Sequence, residues 1–194
     1  MIYKFYEYLN VSTVQDDVTA RTVENVALKR AENLKSMGCS NVIELCVGPS
    51  LRTLEEYYNR VGIQVTGNDI EHRWKEYYPE GNWIIGDSLK VDCSQYDAVV
   101  FAPPLSKGCS GERCDYLSIE EVIPSYYDFI ESDPQSDIIV LVLPGKTFSV
   151  QKDRKEYHKL LSYLYSKGYK DIQSKEMKGN RNRVTKYVDV YIRK

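Results

Sequence analysis

The sequence predicts an α/β fold: a doubly wound sheet of seven mostly parallel strands, closed by a C-terminal antiparallel hairpin and covered by helices on both faces. Three observations carry this. Short apolar runs alternate with helical runs from residue 41 to residue 166, the order that builds a parallel sheet. The run 137–143 is strongly apolar, as a central parallel strand buried on both faces must be. The last two runs, 169–175 and 184–192, instead alternate in period two and read as an antiparallel hairpin.

The elements follow in order. Tyr3, Phe5, Tyr6 and Tyr8 form an aromatic cluster ahead of the polar stretch Ser12 to Thr19, read as a short helix and a loop. Val23, Val26, Ala27, Leu34 and Met37 fall at largely helical spacing over 21–37, and Gly38 suits a helix stop. Residues 1–38 are thus a helical extension before the first strand. Strand 41–47 precedes helix 51–61, strand 63–68 a short helix near 71–78, and strand 83–86 the polar stretch 88–96. Strand 98–101 runs into Ala102-Pro103-Pro104. A loop over 105–117 leads to helix 119–132, then strand 137–143, then helix 150–166 with Gly168 as its stop. No repeat and no linker interrupts the pattern, so residues 1–194 read as one domain.

With 194 residues the chain can bury a sizeable core as one domain. A formal net charge of -2 excludes an overall basic field for nucleic acid. No charged leader precedes an apolar stretch, and no apolar run approaches the roughly 18 residues of a membrane span, so a soluble, cytoplasmic protein is expected. Five cysteines at irregular spacing suggest reduced thiols rather than a disulfide framework. The 17 tyrosines read as amphipathic packing residues.

The most informative stretch is Asn41-Val-Ile-Glu-Leu-Cys-Val-Gly-Pro-Ser50: a buried strand, a tight turn at Gly48, and a helix from about Ser50. Asp69 ends the second strand about twenty residues later, where a doubly wound sheet places an acid to hold a ribose. A dinucleotide site would need G-x-G-x-x-G so that backbone can approach a pyrophosphate. Here only Gly48 is present, and Pro49 lacks an N–H for a phosphate. Glu44 would repel a pyrophosphate and could pair with an ammonium. A nicotinamide-dependent oxidoreductase is therefore disfavoured.

This combination resembles motif I of the class I S-adenosylmethionine (SAM)-dependent methyltransferases, Asp/Glu-x-Gly-x-Gly-x-Gly, written here as Glu44, Cys46, Gly48 and Ser50. Small residues replace the first and third glycines. The resemblance covers roughly residues 21–194 in strand–helix order and implies SAM as cofactor. It implies that Gly48 lets the methionine part lie on backbone and that Glu44 reaches the ammonium. Asp69 would accept the ribose hydroxyls, Ile70 would pack on adenine, and Asp87 with Ser88 would meet the adenine amino group. The segment Ala102-Pro103-Pro104-Leu105 resembles motif IV of amino-group methyltransferases, Asp/Asn-Pro-Pro-aromatic. It departs from that motif at Ala102 and Leu105, which keeps the orienting backbone carbonyls and loses the side-chain acceptor and the ring.

The expected function is methyl transfer to an acceptor that the sequence does not name, including an amino nitrogen of a nucleic-acid base or another phosphate-bearing substrate. The alternative, motivated by Ala102 and the thinned glycines, is a non-catalytic module of the same fold that binds SAM or S-adenosylhomocysteine. Lys175, Lys178, Arg181, Arg183 and Lys186 cluster around the final turn, which the topology would hang over the substrate mouth. Lys146 and Lys152 could join that rim. Cys109 and Cys114 lie without a second thiol pair nearby, and His72 and His158 do not fall into metal-ligand spacing. The loop around them, with Lys107, Glu112, Arg113 and Asp115, reads as a flexible substrate loop and no metal site is expected.

Overall fold

The computed structural model describes residues 17–110, 113–178 and 185–193. Helix α1 (Asp17–Ser36) leads into β1 (Asn41–Leu45), α2 (Leu51–Arg60), β2 (Gln64–Asp69), α3 (Arg73–Tyr77) and β3 (Trp83–Ile85). Then come β4 (Ala98–Phe101), a ribbon of β5 (Ser106–Ser110) and β6 (Arg113–Tyr116), α4 (Ile119–Glu131), β7 (Ile138–Pro144), α5 (Gln151–Ser166), β8 (Lys170–Lys178) and β9 (Thr185–Arg193). Seven strands form one sheet in the order β3-β2-β1-β4-β7-β9-β8. The first five are parallel to their neighbours, and β9 pairs antiparallel with both β7 and β8. The predicted fold class is therefore the observed one.

Local chemistry explains the boundaries. Ser118 caps α4 through a reciprocal capping box with Glu121, which satisfies orphan donors of the first turn. Gly38 and Gly168 end α1 and α5 with φ of +92° and +88°, values that L side chains resist. The seven residues of β7 are all buried, as a continuous apolar run between two helical layers requires.

The two faces are distinct. On one face Phe101 stacks on Phe129 of α4 at 4.3 Å, and Tyr126 meets Phe101 edge-on. On the other, α2 packs on β2, and α1 packs against α2 and reaches β8. Gly67 of β2 makes room there, since a Cβ would come within 2.9 Å of Leu51. Beneath α1 lies a buried polar cluster. Arg30 donates from Nε to Asp189 Oδ2 at 2.7 Å and from NH2 to Asp189 Oδ1 at 3.0 Å, while NH1 is 3.3 Å from both oxygens of Glu44. Tyr58 also donates to Glu44. Lys175, opposite Asp189 in the β8–β9 ladder, donates to Asn33 Oδ1 at 2.9 Å. Burial opposes the charge on Arg30, but Asp189 and Glu44 outweigh it and raise its pKa further.

Two sequence expectations change. The polar stretch Ser12 to Thr19 was expected as loop, yet α1 already begins at Asp17; residues 1–16, with the aromatic cluster, lie outside the described residues. The segment 105–117, expected as a flexible loop, contains an antiparallel ribbon in which Cys109 pairs with Cys114 and Ser110 with Arg113. Its residues do not alternate in hydropathy, so nothing in their pattern marked them as strands.

Candidate functional site

In this sheet β1 sits between β2 and β4, so the strand order reverses at its carboxyl end. Such a switch point opens a crevice that ligands use. The chain leaves β1 through Cys46, whose φ of +60° is left-handed, and Gly48 has φ +55°. A glycine costs nothing in that conformation and a side chain is strained there. Cys46 therefore keeps the backbone shape of the glycine it replaces. A Cβ on Gly48 would meet no atom within 4 Å, which leaves open space in front of this turn. Pro49 lies in the 3-10 turn Gly48–Ser50, where its missing N–H is harmless.

Asp69 closes the crevice from β2. It is buried, and its carboxylate accepts from Gly48 N at 2.8 Å and from Glu71 N at 2.9 Å. Burial raises its pKa, and the N–H groups of Glu71 and Gly48 partly offset that. A carboxylate offers about four acceptor positions, and the N–H of Ile70 also acts on this one, so about one remains for a ligand. Asp87, after β3, accepts from Leu89 N at 3.1 Å and caps the turn Ser88–Lys90. Cys46 ties these parts together. Burial foremost pushes its thiol pKa up to about 12; the neighbouring Ser88 acts against that, and the nearby Asp69 and Asp87 add to it. Cys46, Gly48, Asp69, Asp87 and Ser88 thus converge, with Ser50 at the end of the same turn.

Two apolar side chains flank the acids while remaining open to solvent: Ile70 is 39% exposed and Leu89 37%. Exposed apolar groups next to acidic ones suit a ligand with a flat aromatic part. Leu89 was not singled out from sequence, although an apolar residue directly after Asp87-Ser88 in a polar stretch was a usable signal. Ala102 continues the β4 ladder by donating to Leu45 O at 3.3 Å, beside the start of the Cys46 turn. Pro103 is buried and Pro104 half-buried. Leu105 packs into the core rather than facing the crevice.

Other candidates fall elsewhere. The carboxylate of Glu44, expected to reach an ammonium, is 2% exposed and held by Arg30 and Tyr58 under α1. Lys175 turns to Asn33 on that same face instead of the rim. Lys178 is exposed at the carboxyl end of β8, 3.9 Å from Glu176. Lys186 lies in β9, and Arg181 and Arg183 are outside the described residues. Lys152 is exposed and paired with Glu120. Lys146 lies in the turn Gly145–Phe148. His72 pairs with Glu76 at 3.2 Å. Among the described residues, no three His, Cys, Asp or Glu side chains gather as metal ligands, and no helix is long and apolar enough to cross a membrane.

The fold and crevice define a class: this chain has the class I SAM-dependent methyltransferase fold. No protein-family profile and no curated protein matches the sequence. Solved structures do match. The methyltransferase domain of bacterial CtHen1 aligns with a TM-score of 0.60 at 15% identity, over 89% of this chain and 100% of that one. The 16S rRNA methylase ArmA aligns at 0.56 and 15% identity, over 98% and 94%. The catalytic domain of hMettl16, solved with the MAT2A 3'UTR hairpin 6, aligns at 0.56 and 13% identity, over 84% and 67%.

Proposed function

We propose that this chain binds SAM in the crevice at the end of β1 and transfers its methyl group to a phosphate-bearing acceptor, foremost a nitrogen of a nucleic-acid base. The reading rests on one observation above all. The buried Asp69 carboxylate is locked to Gly48 N at 2.8 Å, next to a turn that keeps a glycine-like shape at Cys46. In this reading Gly48, Cys46 and Ser50 form the bed for the methionine part, and Asp69 receives the ribose with the acceptor capacity left beside its backbone partners. Ile70 and Leu89 cover the two faces of adenine, and Asp87 with Ser88 meets its amino edge.

The cofactor supplies a methyl group already made electrophilic by its sulfonium. What remains for the protein is alignment and the exclusion of water. The carbonyls of Ala102, Pro103 and Pro104 would orient the acceptor nitrogen. Support for a nucleic acid comes from the exposed Lys178 at the carboxyl end of β8, on the same edge of the sheet as the carboxyl end of β1, and from the two RNA-related proteins among the similar folds. Ala102 favours a second reading, a module that binds the cofactor without catalysis.

Calorimetric titration with SAM and S-adenosylhomocysteine tests the proposal. Binding should weaken at least about tenfold in Asp69→Ala, since a charge-assisted hydrogen bond contributes about 1.5–3 kcal/mol. Equal affinity in the variant would remove the cofactor assignment. Methyl transfer to RNA or DNA, lost in the same variant, would separate the enzyme from the non-catalytic module.

A further inference from the structure

Directly after Pro104 and Leu105 the chain leaves the main sheet as the separate ribbon of β5 and β6, beside the carboxyl end of β4. In this ribbon Cys109 stands opposite Cys114, one step from the Ser110–Arg113 pair. Opposite residues of an antiparallel ladder have Cα atoms about 4.5–5.5 Å apart. A disulfide spans Cα separations of about 4.4–6.8 Å. The register therefore sets their Cα atoms within the range a disulfide spans, and the irregularity of this ladder falls on the far side of Cys109, between Ser106 and Cys109. We propose that Cys109 and Cys114 form a reversible dithiol–disulfide pair, a redox modification site that staples this ribbon.

The other thiols are poorly suited to compete. Cys39, Cys46 and Cys93 are free, and burial is the main cause that pushes their pKa values to about 11, 12 and 11. The thiolate is the reacting form, so these three react slowly at neutral pH. The oxidant is a low-molecular-weight disulfide such as glutathione disulfide. One cysteine thiolate attacks it, forms a mixed disulfide and releases one glutathione thiolate. The second cysteine attacks the protein sulfur of that bond and releases the other. Two protein thiols thereby give up two electrons and two protons, and glutathione disulfide becomes two glutathiones. The ring closed between residues 109 and 114 is small, so the bond removes little chain entropy. The pair should accordingly follow the redox buffer rather than stay oxidised.

The test uses the whole chain equilibrated in glutathione buffers and read by intact mass and tryptic mapping, and it stands apart from the methyl-transfer reading. Trypsin cuts after Lys107 and Arg113, so the bond would join the peptide 108–113 to the one beginning at Cys114. The expected result is the loss of two hydrogens and that single linked pair, reversed by dithiothreitol and absent from Cys109→Ser and Cys114→Ser. A Cys93→Ser comparator should still form it. Stable glutathione adducts without an internal bond would overturn the proposal, as would bonds only between molecules or no reaction. Stoichiometric zinc that resists exchange and blocks oxidation would overturn it too.

Discussion

Arg30 is the residue whose removal should be felt most. Its guanidinium makes two bonds to Asp189 and lies 3.3 Å from both oxygens of Glu44. The three side chains are between 0% and 5% exposed. Arg30→Met would keep the apolar stem and leave two buried carboxylates without their guanidinium. Breaking a buried pair in this way costs about 3–5 kcal/mol, because the charge left behind has neither water nor a countercharge. In a domain of this size each kcal/mol lowers Tm by about 2–4 °C, so a fall of about 6–20 °C is expected. Urea denaturation and calorimetry should agree on the loss. Adding Asp189→Asn removes one stranded charge, so the double variant should be less destabilised than the sum of the singles. Lys29→Ala gives the scale of an exposed pair: Lys29 and Glu32 are 3.2 Å apart at 60% and 47% exposure, and the change should stay within about 0.5 kcal/mol. An Arg30→Met protein melting as close to the parent as Lys29→Ala would refute the argument.

Further predictions concern the crevice and the opposite edge of the sheet. Cys46→Gly should stay within about 1 kcal/mol of the parent, because relief of a left-handed side chain offsets the added freedom of glycine. Cys46→Val should lose about 2 kcal/mol or more in urea melts, since a β-branched side chain tolerates positive φ least. The raised pKa of Asp69 means that its burial favours the protonated form. The stability of the parent relative to Asp69→Asn should therefore decline as pH climbs from its ordinary value of 3.8 through the raised one. Affinity for a ribose-bearing ligand should rise over that window, which calorimetry at stepped pH would read. Asp97 behaves oppositely. Its carboxylate accepts from Ser40 N at 2.7 Å and from Asn41 N at 2.9 Å, and these bonds lower its pKa. Asp97→Ala should cost about 1 kcal/mol at neutral pH, modest because water reaches the group. That gap should close as pH falls from 3.8 through the lowered value.

What could be read from the sequence was whatever depends on near neighbours in the chain. The strand–turn–helix at 41–51, the acid closing β2 and the acid after β3 are each local patterns, and they meet in one crevice. The hairpin of β8 and β9 was legible from its period of two. The partners of Glu44 were not. Arg30 lies 14 residues before it in α1, and Asp189 lies 159 residues from Arg30. No periodicity links such positions, so Glu44 could be assigned only by its place in a motif. Lys175 shows the same limit, since a charge near a basic turn looked free until β8 turned it toward Asn33. The ribbon of β5 and β6 stayed hidden because its pairing depends on register and not on hydropathy.

The placing of β9 between β7 and β8 has a consequence for the order in which the molecule assembles. Residues 185–193 fill a slot inside the sheet, yet they follow every other described strand in the chain. Until they arrive, β7 keeps an open flank of unpaired backbone, and Arg30 has half its carboxylates. Closing contacts across such sequence distances is entropically slow. The ion cluster under α1 should therefore lock late, so substitutions at Asp189 should speed unfolding far more than they slow refolding.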